Sequence, residues 1–154
     1  MDAIDVLIKY WGHTKFRLKQ EEIIQQVIEK KDVLALLPTG GGKSICYQIP
    51  GLMQKGISLV ISPLISLMDD QIRHLKSKGI KSVSITSNMH YSEIDTALTN
   101  CIYGGIKFLY LSAEKLQNDL VRTRIKEMHV NLITVDEAHC ISEWGHNFRP
   151  SYRH

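Results

Sequence analysis

Residues 37–44 read Leu-Pro-Thr-Gly-Gly-Gly-Lys-Ser, directly after an apolar run at 33–37. Holding a phosphate takes several N–H groups aimed at one point. Glycine lets a backbone curl that tightly and approach that closely. A helix starting immediately afterwards adds its free N–H groups and the positive end of its dipole. In such a loop Thr39, Gly40, Gly41 and Gly42 form the cradle, Lys43 reaches the β- and γ-phosphates, and the Ser44 hydroxyl ligates Mg²⁺. The strict pattern has glycine where this chain has Leu37, so strand–loop–helix context carries the reading as much as the letters do. A glycine-rich loop beside a surface lysine is the bland alternative.

A second constellation closes the apolar run 130–135, which ends in Asp136-Glu137-Ala138-His139. A carboxylate at the tip of a buried strand is costly unless it meets a cation. Asp136 is therefore the candidate holder of Mg²⁺, and Glu137 the candidate base that orients an attacking water. By itself such a pair is also explained as a cap or a solvated acidic pair. Joined to the glycine loop upstream, it describes a Mg-nucleotide site with a hydrolytic base. His139, Cys140 and His146 offer no fourth zinc ligand and two of them are adjacent, so they read as structural.

These groups need elements to position them. Short β-rich apolar runs at 33–37, 57–61, 81–86, 107–111 and 130–135 alternate with helical stretches at 44–54, 65–78, 92–103 and 113–127. Further helices are expected at 19–30 and 2–11. Strand–helix alternation with near-continuous apolar strands predicts an α/β fold, a parallel sheet with helices on both faces. Ligands bind such sheets beyond the carboxyl ends of the strands, where the residues singled out above fall.

One domain is expected over 154 residues, of which 44 % are hydrophobic and 23 % charged. A net charge of +3 is too small by itself to argue for nucleic acid. No apolar run approaches the roughly 20 residues of a membrane span, and the acidic start MDAID lacks the basic region of a secretory signal. Three unpaired-looking cysteines, Cys46, Cys101 and Cys140, fit a reducing cytoplasm.

Several segments, in order and over nearly the whole chain, resemble the RecQ-type DNA helicases of superfamily 2. Asp136 to Tyr152, DEAHCISEWGHNFRPSY, is similar to that family's acidic motif and aromatic-rich loop. Trp11 to Gln20 resembles its adenine-reading motif, and PTGGGKSICYQIP resembles its phosphate loop, the leucine at 37 included. The resemblance implies that Gln20 hydrogen-bonds the adenine edge while Arg17 and the ring of His13 sandwich the base. Many members carry tyrosine at the latter position.

The stretches Ser62-Pro63-Leu64-Ile65-Ser66-Leu67-Met68-Asp69-Asp70-Gln71 and Tyr110-Leu111-Ser112-Ala113-Glu114-Lys115-Leu116 resemble family segments that touch single-stranded DNA. Read from residues alone, serines at helix starts are phosphate ligands or plain N-caps. Trp144, His146, Phe148 and Arg149 fall on the loop that the family uses to couple DNA to the nucleotide site; stacking of rings on unpaired bases is sequence-tolerant. Where members commonly have aspartate, this chain has Asn147.

What the resemblance implies is a RecA-like P-loop NTPase lobe, C-terminally truncated, of a 3′–5′ helicase. Its cofactors would be ATP and Mg²⁺, its partner single-stranded or junction DNA, its place the cytoplasm or nucleoid, and its work recombination and repair. The second lobe, zinc region and winged helix are expected to be missing, as is a strand between the 33–37 and 130–135 runs. Unwinding by the 154 residues alone is therefore not expected. Two other readings stay open: a P-loop kinase or GTPase, and a catalytically incompetent nucleotide- or DNA-binding fragment.

Overall fold

Four of the five apolar runs form parallel strands. The computed structural model describes residues 2–17, 19–29, 43–63 and 65–135. In it β1 (Ile57–Ile61), β2 (Ser82–Ile85), β3 (Phe108–Leu111) and β4 (Val130–Val135) lie in the order β2-β3-β1-β4, every neighbour parallel. The run at 33–37, and the edge expected beside it, lie outside the described residues. Residues before Gly56 and from Gly56 onward form two compact units.

The second unit is built on the period-2 alternation of its strands. Ile57, Leu59 and Ile61 share one core with Val83 and Ile85, Leu109 and Leu111, and Val130, Ile133 and Val135. Helix α5 (Tyr91–Tyr103) covers this face with Ile94, Ala97, Leu98 and Cys101, joined by Leu116 and Val121. Val60, Phe108 and Tyr110 alternate with these residues and are also buried, so the middle strands are apolar on both sides. Helix α4 (Ile65–Ser77) packs on β2 and buries Met68, Ile72 and Leu75, a single helical face.

The helix expected over 113–127 is two pieces. A 3₁₀ turn, Ala113–Gln117, precedes α6 (Asp119–Ile125). Asn118 separates them because its Oδ1 accepts the Val121 N–H at 3.2 Å, which starts a new helix. Arg124 on α6 ties this element to α5 through an ion pair with Asp95 and a 3.1 Å bond from Nη1 to Thr99 Oγ1.

In the first unit, α1 (Ala3–Trp11) is capped at Asp2, whose Oδ1 accepts from Asp5 N at 3.1 Å, and ends at Gly12 with φ +71°. Next come α2 (Gln20–Ile28) and α3 (Ile45–Met53). Val6, Leu7, Ile24, Ile45 and Ile49 form their common core, with Phe16 packed against it. Each such side chain contributes roughly 1.5–3 kcal/mol on burial. None of the helices among the described residues is long and apolar enough to cross a membrane.

Candidate functional site

The first unit carries two groups of candidate residues. His13 and Arg17 lie exposed on the connection between α1 and α2, while Gln20 is 3 % exposed at the start of α2. Phe16 anchors that connection in the core between them. Arg17 and Gln20 hold one another: the Gln20 N–H donates to Arg17 O at 3.0 Å, and the Arg17 N–H donates to Gln20 Oε1 at 2.8 Å. The second bond fixes the side-chain amide of Gln20 in one orientation. His13 is on the same segment but is not drawn into this pair by any hydrogen bond seen among the described residues. Phe16, packed against the core of the first unit, carries no signal of function in the sequence.

Lys43 and Ser44, half-buried, stand where α3 begins. Their carbonyls start the helix, Lys43 O accepting from Cys46 N at 3.1 Å and Ser44 O from Gln48 N at 2.9 Å. Ser44 has helical φ and ψ, and its hydroxyl makes no cap bond to the helix. Two residues on, burial pushes the Cys46 thiol up to about 11. Thr39, Gly40, Gly41 and Gly42 lie outside the described residues.

In the second unit the candidates gather at the carboxyl edge of the sheet. Ile85, Leu111, Ile61 and Val135 are the last strand residues and are paired across the sheet at one level. The residues that follow three of them are Thr86, Ser112 and Ser62, so the register lines up a row of hydroxyl side chains. Ser62 is 1 % exposed and its N–H donates to Leu111 O at 3.0 Å. Pro63 follows, half-buried, on the way into α4. Ser112 Oγ is sealed from solvent and has no hydrogen-bond partner among the described residues. It stands at the N-terminus of the 3₁₀ turn without capping it.

In the sequence Thr86 reads only as the end of a strand run. Its hydroxyl bonds Asn88 Oδ1 and its N–H contacts Met89 Sδ at 3.3 Å, closing the turn into α5. Beyond Val135 the sequence continues with Asp136 and Glu137; these, with Trp144, His146, Phe148 and Arg149, lie outside the described residues. Among the described residues no three His, Cys, Asp or Glu side chains converge as a metal cluster.

The chain belongs to the DEAD/DEAH box helicase family, whose sequence model matches residues 17–154.

Within that class its relatives are RecQ-type proteins. It is 46 % identical over 152 residues to the ATP-dependent DNA helicase RecQ of Bacillus subtilis (strain 168), covering 98 % of this chain and 26 % of that protein. It is also 46 % identical to the probable ATP-dependent DNA helicase RecS of the same organism, covering 95 % of this chain and 29 % of that one. The chain thus spans less than a third of the length of these curated relatives. The fold is similar to that of the DUF1998 helicase MrfA bound to DNA and AMPPNP, with a TM-score of 0.74 at 20 % identity, over 90 % of this chain and 21 % of that one.

Proposed function

We propose that this chain is the ATP-binding and hydrolysing lobe of a DNA helicase that unwinds 3′–5′ and serves recombination and repair in the cytoplasm or nucleoid. The observation that carries the reading is the level row Thr86–Ser112–Ser62 at the carboxyl edge, beside the strand whose sequence runs on into Asp136-Glu137.

The first unit suits a purine nucleotide. Gln20 presents a buried amide of fixed orientation, which an adenine edge can match by paired hydrogen bonds. Arg17 and His13 sit outside it, able to cover the faces of the base. Thr39, Gly40, Gly41 and Gly42 direct N–H groups at the phosphates, and Lys43 neutralises the outer ones. Ser44, whose hydroxyl does not cap its helix, and Asp136 would hold Mg²⁺. When bound, the ion screens phosphate charge and polarises the scissile bond. Glu137 orients the attacking water and accepts its proton. Ser62 and Ser112 hold backbone phosphates of single-stranded DNA, with Pro63 setting the turn after Ser62, while Trp144 and Phe148 stack on its bases and His146 and Arg149 flank them.

ATP turnover by the protein is measured with and without single-stranded DNA. DNA-stimulated hydrolysis that Lys43→Ala and Glu137→Gln abolish, with DNA binding largely kept, is the expected result. Retained DNA-stimulated turnover in Lys43→Ala overturns it. Turnover that ignores DNA leaves the nucleotide site standing and removes the proposed coupling to DNA.

A further inference from the structure

In a parallel sheet all strands start at one edge, opposite the edge described above. At that starting edge the chain concentrates positive charge. The three connections 76–81, 103–107 and 126–129 contain five lysines and a histidine against one acid, Glu127. Their formal charge, +4, exceeds the +3 of the whole 154-residue chain.

Hydrogen bonds place these connections side by side. Lys107 N donates to Lys81 O at 2.8 Å, Ser58 N to Lys107 O at 2.9 Å, and Ile57 N to His129 O at 2.8 Å. Lys81 and Lys107 thus start neighbouring strands, and His129 lies two strands further on, across β1, at about 4.8 Å per strand. Lys76, Lys81, Lys126 and His129 are exposed. Lys107 is partly buried, its pKa lowered by that burial, and its Nζ donates to Gly56 O at 3.0 Å. It shapes the edge rather than offering a contact.

Cations near helix C-termini often do no more than offset the helix dipole. That accounts for Lys76 on α4, and for Lys81, whose Nζ reaches Gly104 O at 3.3 Å at the end of α5. It does not account for Tyr103. This ring is 81 % exposed, next in the chain to Gly104, whose carbonyl Lys81 Nζ reaches, and contributes nothing to the core. A bare aromatic set in a line of cations is what unpaired bases and their phosphates recognise: the ring stacks and the ammonium groups neutralise. An acidic protein segment would use the charge but leave the ring idle.

We propose that the strand-start edge, with Tyr103, Lys76, Lys81, Lys126 and His129, is a second binding surface for single-stranded nucleic acid. It is separate from the carboxyl-edge residues and needs no nucleotide.

The test is fluorescence anisotropy of a labelled oligothymidylate, without ATP, over a salt series. Replacing Lys76, Lys81 and Lys126 together by glutamine is expected to weaken binding at least tenfold. It should also flatten the slope of log affinity against log salt by about 2, at about 0.7 per phosphate contact. Tyr103→Ala is expected to weaken the single strand by roughly tenfold and leave blunt duplex binding unchanged. The unfolding midpoint checks that each variant is folded, and Lys126→Gln alone, expected to flatten the slope by about 0.7, replaces the triple variant if that one is not.

An unchanged slope overturns the proposal. So does a Tyr103→Ala variant that binds normally while polyglutamate displaces the oligonucleotide from the lysines, because the surface is then a general acidic-partner contact. Trp144→Ala with Phe148→Ala separates the two surfaces. That pair is expected to lower affinity while leaving the lysine-dependent part of the slope in place, so either assignment can fail without the other.

Discussion

Ser58 on β1 donates a 2.6 Å hydrogen bond from its hydroxyl to Asn131 Oδ1 on β4, at the point where the pairing of the two strands slips by one residue. Ile57 faces Val130, but Ser58 faces Leu132, so Asn131 is an extra residue in β4. Its effect is on parity. Val130, Ile133 and Val135 reach the same core although they are three and two residues apart, which an unbroken strand does not allow. The bulge corrects the register, and the strand then runs on in sequence to Asp136 and Glu137.

Because Ser58 is fully buried, losing its partner leaves a hydroxyl unsatisfied. Asn131→Ala is expected to lower unfolding free energy by about 1–3 kcal/mol. Adding Ser58→Ala should recover part of that loss. Urea denaturation of both single variants and the double variant measures the coupling, and strictly additive losses would show that the bond does not set the register.

Two glycines with positive φ separate conformational strain from crowding. Gly56 has φ +101° and a Cβ built there would lie 2.2 Å from His129 O. Gly12 has φ +71° and nothing within 4 Å of such an atom. Alanine at Gly12 is expected to cost about 1 kcal/mol from the left-handed conformation alone. At Gly56 it should cost at least about 3 kcal/mol, since the strand start must also move away from β4. Similar losses at both sites in thermal unfolding would contradict the crowding.

Most of this architecture was legible in the residues. Apolar runs bounded by glycine or polar residues gave β1 to β4 within a residue of their ends; β1 and β3, buried along their whole length, leave little other reading. Connections were less legible where one side chain decides the backbone. Asn118 breaks an otherwise helical stretch by capping Val121, and Asn131 inserts a bulge into VNLITV; both are single polar residues whose partners lie in the folded chain. Gln20 could be picked out only through resemblance, since its bond to the Arg17 N–H arises from a turn that the sequence does not spell. Thr86 joins the hydroxyl row through register alone.

That turn makes Gln20 a test of base selection. Gln20→Ala removes both the buried amide and the bond that holds the Arg17 N–H. Affinity for ATP is expected to fall at least tenfold, about 1.4 kcal/mol, while affinity for inorganic tripolyphosphate stays within about twofold, a few tenths of a kcal/mol by the same relation. Equal losses for both ligands, measured by calorimetry, would mean that Gln20 supports the phosphate loop and not the base.

Cys101 gives a pH dependence with a definite sign. Burial pushes its thiol from 9.0 up to about 12. The unfolded chain therefore releases this proton first, and the contribution of the neutral thiol, complete below pH 9, is lost as pH rises from 9 toward 12. Stability should fall more steeply over that alkaline range in the native protein than in Cys101→Ala, although the variant is less stable at neutral pH. Parallel stability–pH curves for the two proteins would exclude the buried thiol as the source. At neutral pH the same burial should keep Cys101 unreactive toward thiol reagents until the chain unfolds.

Ser112 sets stability against function. A sealed hydroxyl without a partner among the described residues costs the fold free energy and returns nothing to it. Ser112→Ala is therefore expected to leave unfolding free energy unchanged or raise it by up to about 1 kcal/mol. If the hydroxyl is kept for a phosphate of single-stranded DNA, the same variant should bind a short oligonucleotide several-fold more weakly and show less stimulation of ATP turnover. Ser112→Thr, which keeps the hydroxyl, should recover part of the binding. A variant that gains stability and loses no DNA affinity would leave Ser112 as a packing residue and remove it from the proposed DNA contacts, with Ser62 still testable beside it.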